Sequence, residues 1–449
     1  FIGETGVDGR ALGFSLLVLL ATTVGFGLPV AFRVSGSGLS RVINSSTRSG
    51  IGNRRDRIRR EVLVVVQVAL ALALMISAAL MIRSLMNLKT VDPGFDTENL
   101  LTLRVLLPNK SYETDTEIST FYEQSLREIA AIPGVRSVSA TSTIPLVGST
   151  SNTGISIEGR PVSSPDETVF VGAEAIAPDY LETMGIPLLE GRDLTAFDRA
   201  DTEATVIINS SMARHFWPGE SALGKRVKYG SPESENPWLT VVGVMGNYRY
   251  TSLDADVRLE TLYPMLSFPA PAMTFVVRTE GEPSAATADV RKAIWRVGPE
   301  LAIYQVATMD EVVSRNTRSI DNLTTLLVGF GLIALVLALG GLYGVMSFTV
   351  GRRTQEIGLR MALGAQARSI LRTVLQRSAL LVAFGVAVGG VVAFLLARSL
   401  GDVLFEIGSF DPAAYAVVAA GMLVVGLLAS LIPAMRAAAI DPAIALRDE

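Results

Sequence analysis

The chain of 449 residues contains no cysteine and a single histidine, His215. The absence of cysteine excludes disulfides, thiolate catalysis and cysteine-based zinc sites, and one histidine leaves little for metal binding or a histidine-based triad. Charged residues are also scarce, at 18% of the chain against roughly 25% in soluble domains. Hydrophobic residues make up 49% and gather into runs, which is typical of an integral membrane protein.

Five apolar stretches are long enough, or nearly so, to cross a bilayer as helices, which takes about 20 residues. They are residues 11–32, 62–82, 323–350, 373–397 and 412–433. Cytoplasmic loops carry an excess of arginine and lysine. Residues 33–60 hold eight arginines and one acid, and residues 351–377 hold six arginines and one acid. Both segments are therefore predicted to face the cytoplasm, which places the N-terminus outside and the C-terminus inside.

The long segment between the second and third stretches, residues 86–320, is predicted to be a folded domain on the outer side. It is acidic, with about 30 Asp and Glu against about 20 Lys and Arg. Strand-like segments at residues 100–107, 135–140, 205–208, 239–244 and 273–278 interleave with helical spacing at residues 118–132, 284–297 and 309–315. The expected fold class is a multi-pass α-helical membrane protein with a large α/β (α+β) extracytoplasmic domain.

Two motifs in this domain suggest chemistry, and both are weak. Residues 219–225, GESALGK, fit a phosphate-binding loop, but Arg226 stands where a Ser or Thr would bind magnesium. Ser211 and His215 lie one helical turn apart, but no acidic residue of that segment orients the histidine as a triad requires. A surface histidine on a short helix capped by Asn209 is the favoured interpretation. We predict no catalytic residue, no metal site and no cofactor.

The segment at residues 351–368, GRRTQEIGLRMALGAQAR, is more specific than a turn requires. The first interpretation is a plain cytoplasmic loop, since loops on that side of the membrane are rich in arginine in any case. A helix would put Arg353 and Arg360 on one face with Ile357 and Met361 beside them, although its glycines weaken a long helix. The second interpretation is a short element on the inner membrane surface that inserts into a groove of a partner.

Residues 433–447, PAMRAAAIDPAIALR, form a second candidate element on the cytoplasmic side. Asp441 suits a helix N-cap and Pro442 the first turn, and Leu446 would pack against a partner. A frayed amphipathic tail is the alternative.

Together these motifs resemble ABC-transporter permeases of the MacB (macrolide-exporter) and FtsX type. EIGLRMALGA after a spanning helix and the closing pattern P-A-x-R-A-A-x-x-D-P-x-x-A-L-R are similar to the C-terminal part of such permeases. Residues 185–192, 206–217, 224–227 and 241–244 are similar to their periplasmic core domain. The helix at residues 59–85, followed by VDPGF, resembles the branch of duplicated orphan permeases, in which two four-helix units are fused.

The resemblance implies a division of the chain into ten segments, and the start at Phe1 without a signal region leads us to expect a fragment of a longer protein. The segments are the last helix of a truncated preceding permease unit (1–33), a cytoplasmic Ser/Gly/Arg linker (34–60), a transmembrane helix (61–85), the extracytoplasmic MacB-like core domain (86–320), a transmembrane helix (321–350), a cytoplasmic coupling element (351–370), a transmembrane helix (371–398), a short outer loop (399–411), a transmembrane helix (412–434) and a cytoplasmic tail (435–449).

The resemblance further implies a type VII ABC permease of the bacterial inner membrane that is not itself an enzyme. Its partners would be a separate cytoplasmic ABC ATPase that binds ATP, a second permease unit (fused or dimeric), an optional periplasmic adaptor and the lipid bilayer, with no nucleic acid. ATP hydrolysis would move the extracytoplasmic domain, for efflux of hydrophobic compounds or export-related mechanotransmission. The alternative is an FtsX-like membrane scaffold that regulates a cell-wall hydrolase.

The same resemblance assigns two sets of site residues. The ATPase-coupling set is Glu356, Ile357, Gly358, Arg360, Met361, Ala362, Leu363 and Gly364. The secondary cytoplasmic contacts are Arg436, Asp441, Pro442 and Leu446.

Overall fold

A computed structural model describes residues 13, 16, 17, 19, 20, 54–147, 152–160, 168–352, 354–363, 366–399 and 410–439. The five separate residues near the N-terminus are helical. Several expected features lie outside the described residues. They are most of the first spanning helix, the linker up to residue 53, Arg353, Gly364 and most of the outer loop at 399–411. Asp441, Pro442 and Leu446 of the tail lie outside the described residues as well.

The described ranges contain long helices at the two ends of the chain and a mixed α/β region between them. The helices are α1 (Arg54–Lys89), α2 (Asp115–Ala130), α3 (Tyr180–Met184), α4 (Ser210–Phe216), α5 (Pro283–Val297), α6 (Met309–Arg352), α7 (Thr354–Ala362), α8 (Ala367–Ser399) and α9 (Pro412–Ala438). The strands are β1 (Leu100–Leu106), β2 (Val135–Thr141), β3 (Asn152–Ile157), β4 (Val169–Ile176), β5 (Leu188–Gly191), β6 (Thr205–Asn209), β7 (Arg226–Tyr229), β8 (Leu239–Met245), β9 (Glu260–Pro264), β10 (Ala272–Thr279) and β11 (Ile303–Thr308).

The α/β region begins and ends with a split β-α-β arrangement. Its four strands are antiparallel in the order β11-β1-β10-β2, with α2 after β1 and α5 after β10. Alternate residues of β1, among them Leu101, Leu103 and Val105, pack with α2 and α5 in one buried cluster. Helix α2 starts with a capping box, in which Thr114 Oγ1 accepts from Glu117 N and Glu117 Oε2 accepts from Thr114 N.

The chain between β2 and β10 forms a closed ring of six strands. The order is β4-β3-β7-β8-β6-β9, and β9 pairs back onto β4. The β4–β9 and β6–β8 pairs are parallel, the other pairs of the ring are antiparallel, and β5 pairs with β8. Apolar side chains of these strands form a buried cluster with Met212 and Phe216 of α4. Ring closure leaves these strands fewer free edges.

Two buried carboxylates face one guanidinium where β4 and β9 pair. Glu260 accepts from Arg258 Nε at 2.5 Å and from Arg258 Nη2 at 3.1 Å, and Glu174 Oε1 lies 3.6 Å from the same guanidinium. The hydroxyls of Ser142 and Tyr250 each donate to Glu174 at 2.5 Å. Burial raises the pKa of Glu260 to about 8, and it also raises the pKa of Glu174. One guanidinium neutralises only one of the two carboxylates, and the repulsion between the two carboxylates adds to the effect of burial on the pKa of Glu260.

A buried arginine fixes the segment that enters the sheet from α1. Arg278 on β10 is 8% exposed. It donates from Nε to Thr183 O, from Nη1 to Asp96 Oδ2 and from Nη1 to Glu98 O, each at 2.9 Å. These bonds satisfy two backbone carbonyls and one carboxylate.

Among the described residues, four helices are long and apolar enough to cross a membrane: α1, α6, α8 and α9. Helix α6 has 44 residues, which corresponds to about 66 Å at 1.5 Å per residue. The helical spacing at residues 309–315 and the spanning helix expected from residue 321 are one continuous helix. Pro433 lies inside α9, which continues to Ala438.

The chain forms two compact units. The first comprises the described parts of residues 1–68, 338–385 and 425–449, and the second comprises the described parts of residues 69–337 and 386–424. The second unit holds the α/β domain; in it Arg83 is ion-paired with Asp411, whose Oδ1 also caps α9 by accepting from Ala413 N at 3.0 Å.

Candidate functional site

The segment between α6 and α8 contains a separate short helix, α7, of nine residues. It follows Arg352, the last residue of α6, and α8 starts at Ala367. The expected element at residues 351–370 is thus divided between α7 and the first turn of α8. Thr354, at the start of α7, donates from Oγ1 to Gly351 O at 2.9 Å, which satisfies one carbonyl at the end of α6.

One face of α7 is anchored on the ends of the long helices. Ile357 is 8% exposed and packs in a buried cluster with Ile370 of α8 and Ala437 of α9. Half-buried Val350, Met361 and Val374 adjoin this cluster, and Gly358 is buried. A small cavity of about 60 Å³ lies beside it, lined by residues of α6, α7 and α8. These contacts hold α7 in a defined position relative to α6, α8 and α9.

The rest of α7 is exposed and carries large apolar side chains together with two charges, Glu356 and Arg360, which also line the cavity beside Ile357. Arg360 Nη2 donates to Glu356 Oε1 at 2.6 Å, and the side chains are 60% and 46% exposed. Leu359 is 52% exposed and Leu363, just after the helix, is 81% exposed. An exposed helix with paired charges beside leucines four residues apart has the composition of a protein-binding surface.

The structure divides the expected coupling residues into two groups. Ile357, Gly358 and Met361 face the helix ends, whereas Glu356, Arg360, Ala362 and Leu363 are exposed. Gly364 lies outside the described residues. Sequence reasoning did not include Leu359, whose signal is its four-residue spacing from Leu363. The role of these residues as an ATPase contact remains a prediction.

The unit that contains α7 also carries arginines on α8 and α9. Arg368 and Arg372 on α8 are exposed, and Arg377 forms an ion pair with Glu61 of α1, the two side chains being 25% and 21% exposed. Arg436, the described member of the expected secondary contacts, donates to the Tyr343 hydroxyl at 3.1 Å. The ion pair joins α1 to α8, and the Arg436 bond joins α9 to α6.

The two chemical motifs of the α/β domain occupy ordinary places in the fold. Residues 219–225 form turns that lead into β7 rather than into a helix, so they provide no helix N-terminus for a phosphate. Asn209 caps α4, with Oδ1 accepting from Met212 N at 3.0 Å. The His215 ring packs edge-on against Phe216 at 4.7 Å between centroids, and Ser211 Oγ accepts from Arg214 at 3.5 Å.

Two family models match this chain in succession. The MacB-like periplasmic core domain matches residues 62–296, which is more than half of the chain, and the FtsX-like permease C-terminal domain matches residues 328–442. The first match includes α1 and the α/β domain up to α5. The second includes α7 and the spanning parts of α6, α8 and α9.

Curated relatives carry permease and exporter names. The chain is 28% identical over 65% of its length to an uncharacterized ABC transporter permease, YvrN, of Bacillus subtilis, and covers 74% of that protein. It is 30% identical over 59% of its length to the pyoverdine export ATP-binding/permease protein PvdT of Pseudomonas syringae. It is 29% identical over 59% of its length to the macrolide export ATP-binding/permease protein MacB of Marinobacter nauticus. The chain spans 40% and 41% of these two exporters.

Solved structures with a likeness to the chain are extracytoplasmic domains. The periplasmic region of MacB from Actinobacillus actinomycetemcomitans has 14% identity and a TM-score of 0.35, covering 54% of this chain and 98% of its own. The extracellular domain of the noncanonic ABC-type transporter YknZ from Gram-positive bacteria has 18% identity and a TM-score of 0.31, covering 46% of this chain and 100% of its own.

The family matches and the four spanning helices lead to the same assignment. They make the chain a multi-pass protein of the inner membrane with a large extracytoplasmic domain. The matched models are permease domains, and an ATPase domain is not among them. The chain belongs to the family of ABC transporter permeases with a MacB-like periplasmic core domain and an FtsX-like permease C-terminal domain.

Proposed function

We propose that a separate cytoplasmic ATPase binds the exposed face of α7 and that ATP-driven movement of α7 is transmitted through the spanning helices to the extracytoplasmic domain. The observation that carries this proposal is the two-sided construction of α7, with Ile357 anchored in a buried cluster and Glu356 and Arg360 exposed. A contact that bears force requires a firm attachment on one side and an accessible surface on the other.

The continuity of α6 supports the transmission step. This helix starts at Met309, directly after β11 of the extracytoplasmic domain, and ends at Arg352, two residues before α7. An uninterrupted helix transmits an axial displacement better than two helices joined by a loop, because its backbone hydrogen bonds resist extension. The proposal puts α7 on the cytoplasmic side, and it is supported by the 44 residues of α6, which are more than the roughly 20 that one crossing of the membrane requires.

We further propose that the movement serves export of hydrophobic compounds. Two of the relatives are named as exporters, of pyoverdine and of macrolides, and this supports export over the alternative, a scaffold that regulates a cell-wall hydrolase. A second permease unit, fused or dimeric, and an adaptor on the outer side belong to the same proposal. ATP is then bound by the partner and not by this chain.

The test exchanges the two charges of α7. In the double variant Glu356→Arg with Arg360→Glu, an intrahelical pair of opposite charges is kept, which limits the change in helix stability to a few tenths of a kcal/mol. The charges presented to a partner are reversed. The full chain is purified from its native membranes, and the co-purified ATPase is identified and its ATP hydrolysis measured. We expect at least a tenfold loss of ATPase association, since like charges at an interface repel.

A matched control exchanges an exposed pair elsewhere. Lys292 Nζ lies 3.1 Å from Asp289 Oδ1 on α5, and both side chains are more than half exposed. The double variant Asp289→Lys with Lys292→Asp should leave ATPase association unchanged. Full partner binding and full ATP hydrolysis by the α7 variant would refute the assignment of α7 as the coupling element.

A further inference from the structure

A cavity opens on the face of the four-stranded sheet that is not covered by α2 and α5. Its volume is about 360 Å³. Leu101, Leu103 and Val105 of β1 face the helices, so the alternate residues Thr102 and Arg104 point to the opposite side. The cavity is lined by residues of β1, β10 and β11, of the segment after β2 and of the first turns of α6: Thr102, Arg104, Ile144, Leu146, Val147, Thr274, Gln305, Ala307, Val312, Arg315 and Asn316.

The lining carries two positive charges and no negative one. Arg104 and Arg315 are its charged members. Within the described ranges the Arg104 side chain has no hydrogen bond or ion pair, although the residue stands in the middle of a strand. Arg315 Nη2 lies 3.8 Å from Glu311, a loose contact between side chains that are 51% and 57% exposed, and Glu311 does not line the cavity. An arginine without a counter-ion beside a concave surface favours an anionic ligand.

The rest of the lining separates into a polar and an apolar part. Thr102, Thr274, Gln305 and Asn316 supply hydroxyl and amide groups. Ile144, Leu146 and Val312 are 6%, 5% and 7% exposed and form an apolar wall. A cavity with cations, a few polar groups and an apolar wall is suited to an organic anion rather than to a bare inorganic one.

Backbone strain is concentrated at the same place. Among the described residues, four that are not glycine have positive φ, and two of them, Leu146 (φ 65°) and Gln305 (φ 50°), line this cavity. The register between β1 and β11 also shifts between Thr102 and Arg104, which is a bulge of the kind that redirects side chains. Left-handed conformations of such residues are energetically unfavourable and cluster at binding sites.

We propose that this cavity binds an amphiphilic organic anion, with a phosphate or carboxylate group held by Arg104 and Arg315 and an apolar part against Ile144, Leu146 and Val312. The position favours an amphiphile. Arg315 lies five residues before Ile320, the first residue of the spanning part of α6, which is about 8 Å along the helix axis. The anion comes either from a membrane lipid or from a free organic anion, and both present the same head-group chemistry.

The experiment measures binding to the full chain in detergent by calorimetry. Dihexanoyl phosphatidate represents the lipid source, and hexyl phosphate represents the free organic anion. Two matched probes serve as controls: dihexanoylglycerol lacks the charge, and inorganic phosphate lacks the apolar part. We expect saturable binding of at least one of the first two, and their ratio identifies the source. Arg104→Gln and Arg315→Gln should each weaken it about tenfold or more. Arg136→Gln, at an exposed arginine of β2 outside the cavity, should leave it unchanged.

Three results would overturn the proposal. They are equal binding of dihexanoylglycerol, equal binding of inorganic phosphate, and unchanged binding in both arginine variants. Arg104 is half-buried, and if Arg104→Gln does not fold, two other measurements still test the proposal. The first is Arg315→Gln, which changes an exposed side chain on a helix. The second is the affinity of the unaltered chain, which should fall with added salt. The assay contains no ATPase, so its failure would leave the proposed coupling through α7 untouched.

Discussion

The packing of α8 on α1 at Gly389 leaves no room for a side chain. A Cβ placed on Gly389 would lie 2.7 Å from Ala69 O, 2.9 Å from Ala69 Cα and 3.1 Å from Leu72 Cβ. Ordinary contact between such atoms is about 3.5–4.0 Å. Two of the three obstructing atoms belong to the backbone and cannot rotate away, so Gly389→Ala requires the two helices to separate by about 1 Å. Close approach at small residues is how spanning helices commonly associate.

The neighbouring glycine provides the matched control. A Cβ on Gly390 would meet nothing within 4 Å. Both substitutions replace glycine by alanine in the same turn of one helix, so the intrinsic gain in helix propensity, about 1 kcal/mol, cancels between them. What remains is the cost of overpacking, about 1–3 kcal/mol. Gly389→Ala should therefore be less stable than Gly390→Ala by this amount.

The stability of the two variants is compared by heating the full chain in detergent and measuring by size-exclusion chromatography the fraction that stays monodisperse. We expect the midpoint temperature of Gly389→Ala to lie several degrees below that of Gly390→Ala. Equal midpoints, or a lower midpoint for Gly390→Ala, would show that α8 does not approach α1 as described.

Three other predictions concern the extracytoplasmic domain and the topology. The pKa of Glu260 is raised from 4.5 to about 8, so the folded domain keeps a proton that the unfolded chain releases, and the free energy of unfolding should fall as the pH rises from 5 to 8. Glu260→Gln should flatten this pH dependence, measured by urea unfolding followed by tryptophan fluorescence. An unchanged pH dependence in the variant would contradict the prediction. Arg278→Met should destabilise the domain by about 1–3 kcal/mol in the same assay, since it leaves the carbonyl of buried Thr183 without its hydrogen-bond donor, and no measurable loss would speak against the role of this network. The chain has no cysteine, so variants with a single cysteine report its topology without labelling at other positions of the chain. In intact cells a membrane-impermeant maleimide should label Phe197→Cys, since Phe197 is 85% exposed in the domain, and it should not label Ala362→Cys. Labelling of Ala362→Cys from outside would refute the orientation.

Local sequence patterns were sufficient for much of the architecture. Apolar runs predicted the four described spanning helices, because a helix that crosses lipid needs an uninterrupted apolar surface. Alternation predicted β1, β2, β6, β8 and β10, whose side chains are buried on at least one face. The short strands β5 and β9 were not predicted, since four or five residues carry too little periodicity.

The site was predicted in part. The motif around Glu356 and Arg360 predicted a short element where the structure has α7, but not which of its residues face the bundle, and its contact with an ATPase stays a prediction. That depends on Ile370 and Ala437, which contribute from two other helices. Leu359 was missed for this reason, because an apolar residue on a short helix is exposed or buried according to what lies beside it.

What the sequence by itself determined was the class of membrane protein, the orientation expected from arginine and the position of the short element at α7, all of which depend on neighbours along the chain. Only the tertiary structure decided the closure of the six-stranded ring, the sharing of Arg258 by two carboxylates and the meeting of Arg104 with Arg315 in one cavity. These depend on residues that are distant in the chain and brought together by strand pairing and packing, and no local pattern of hydrophobicity or charge records that proximity.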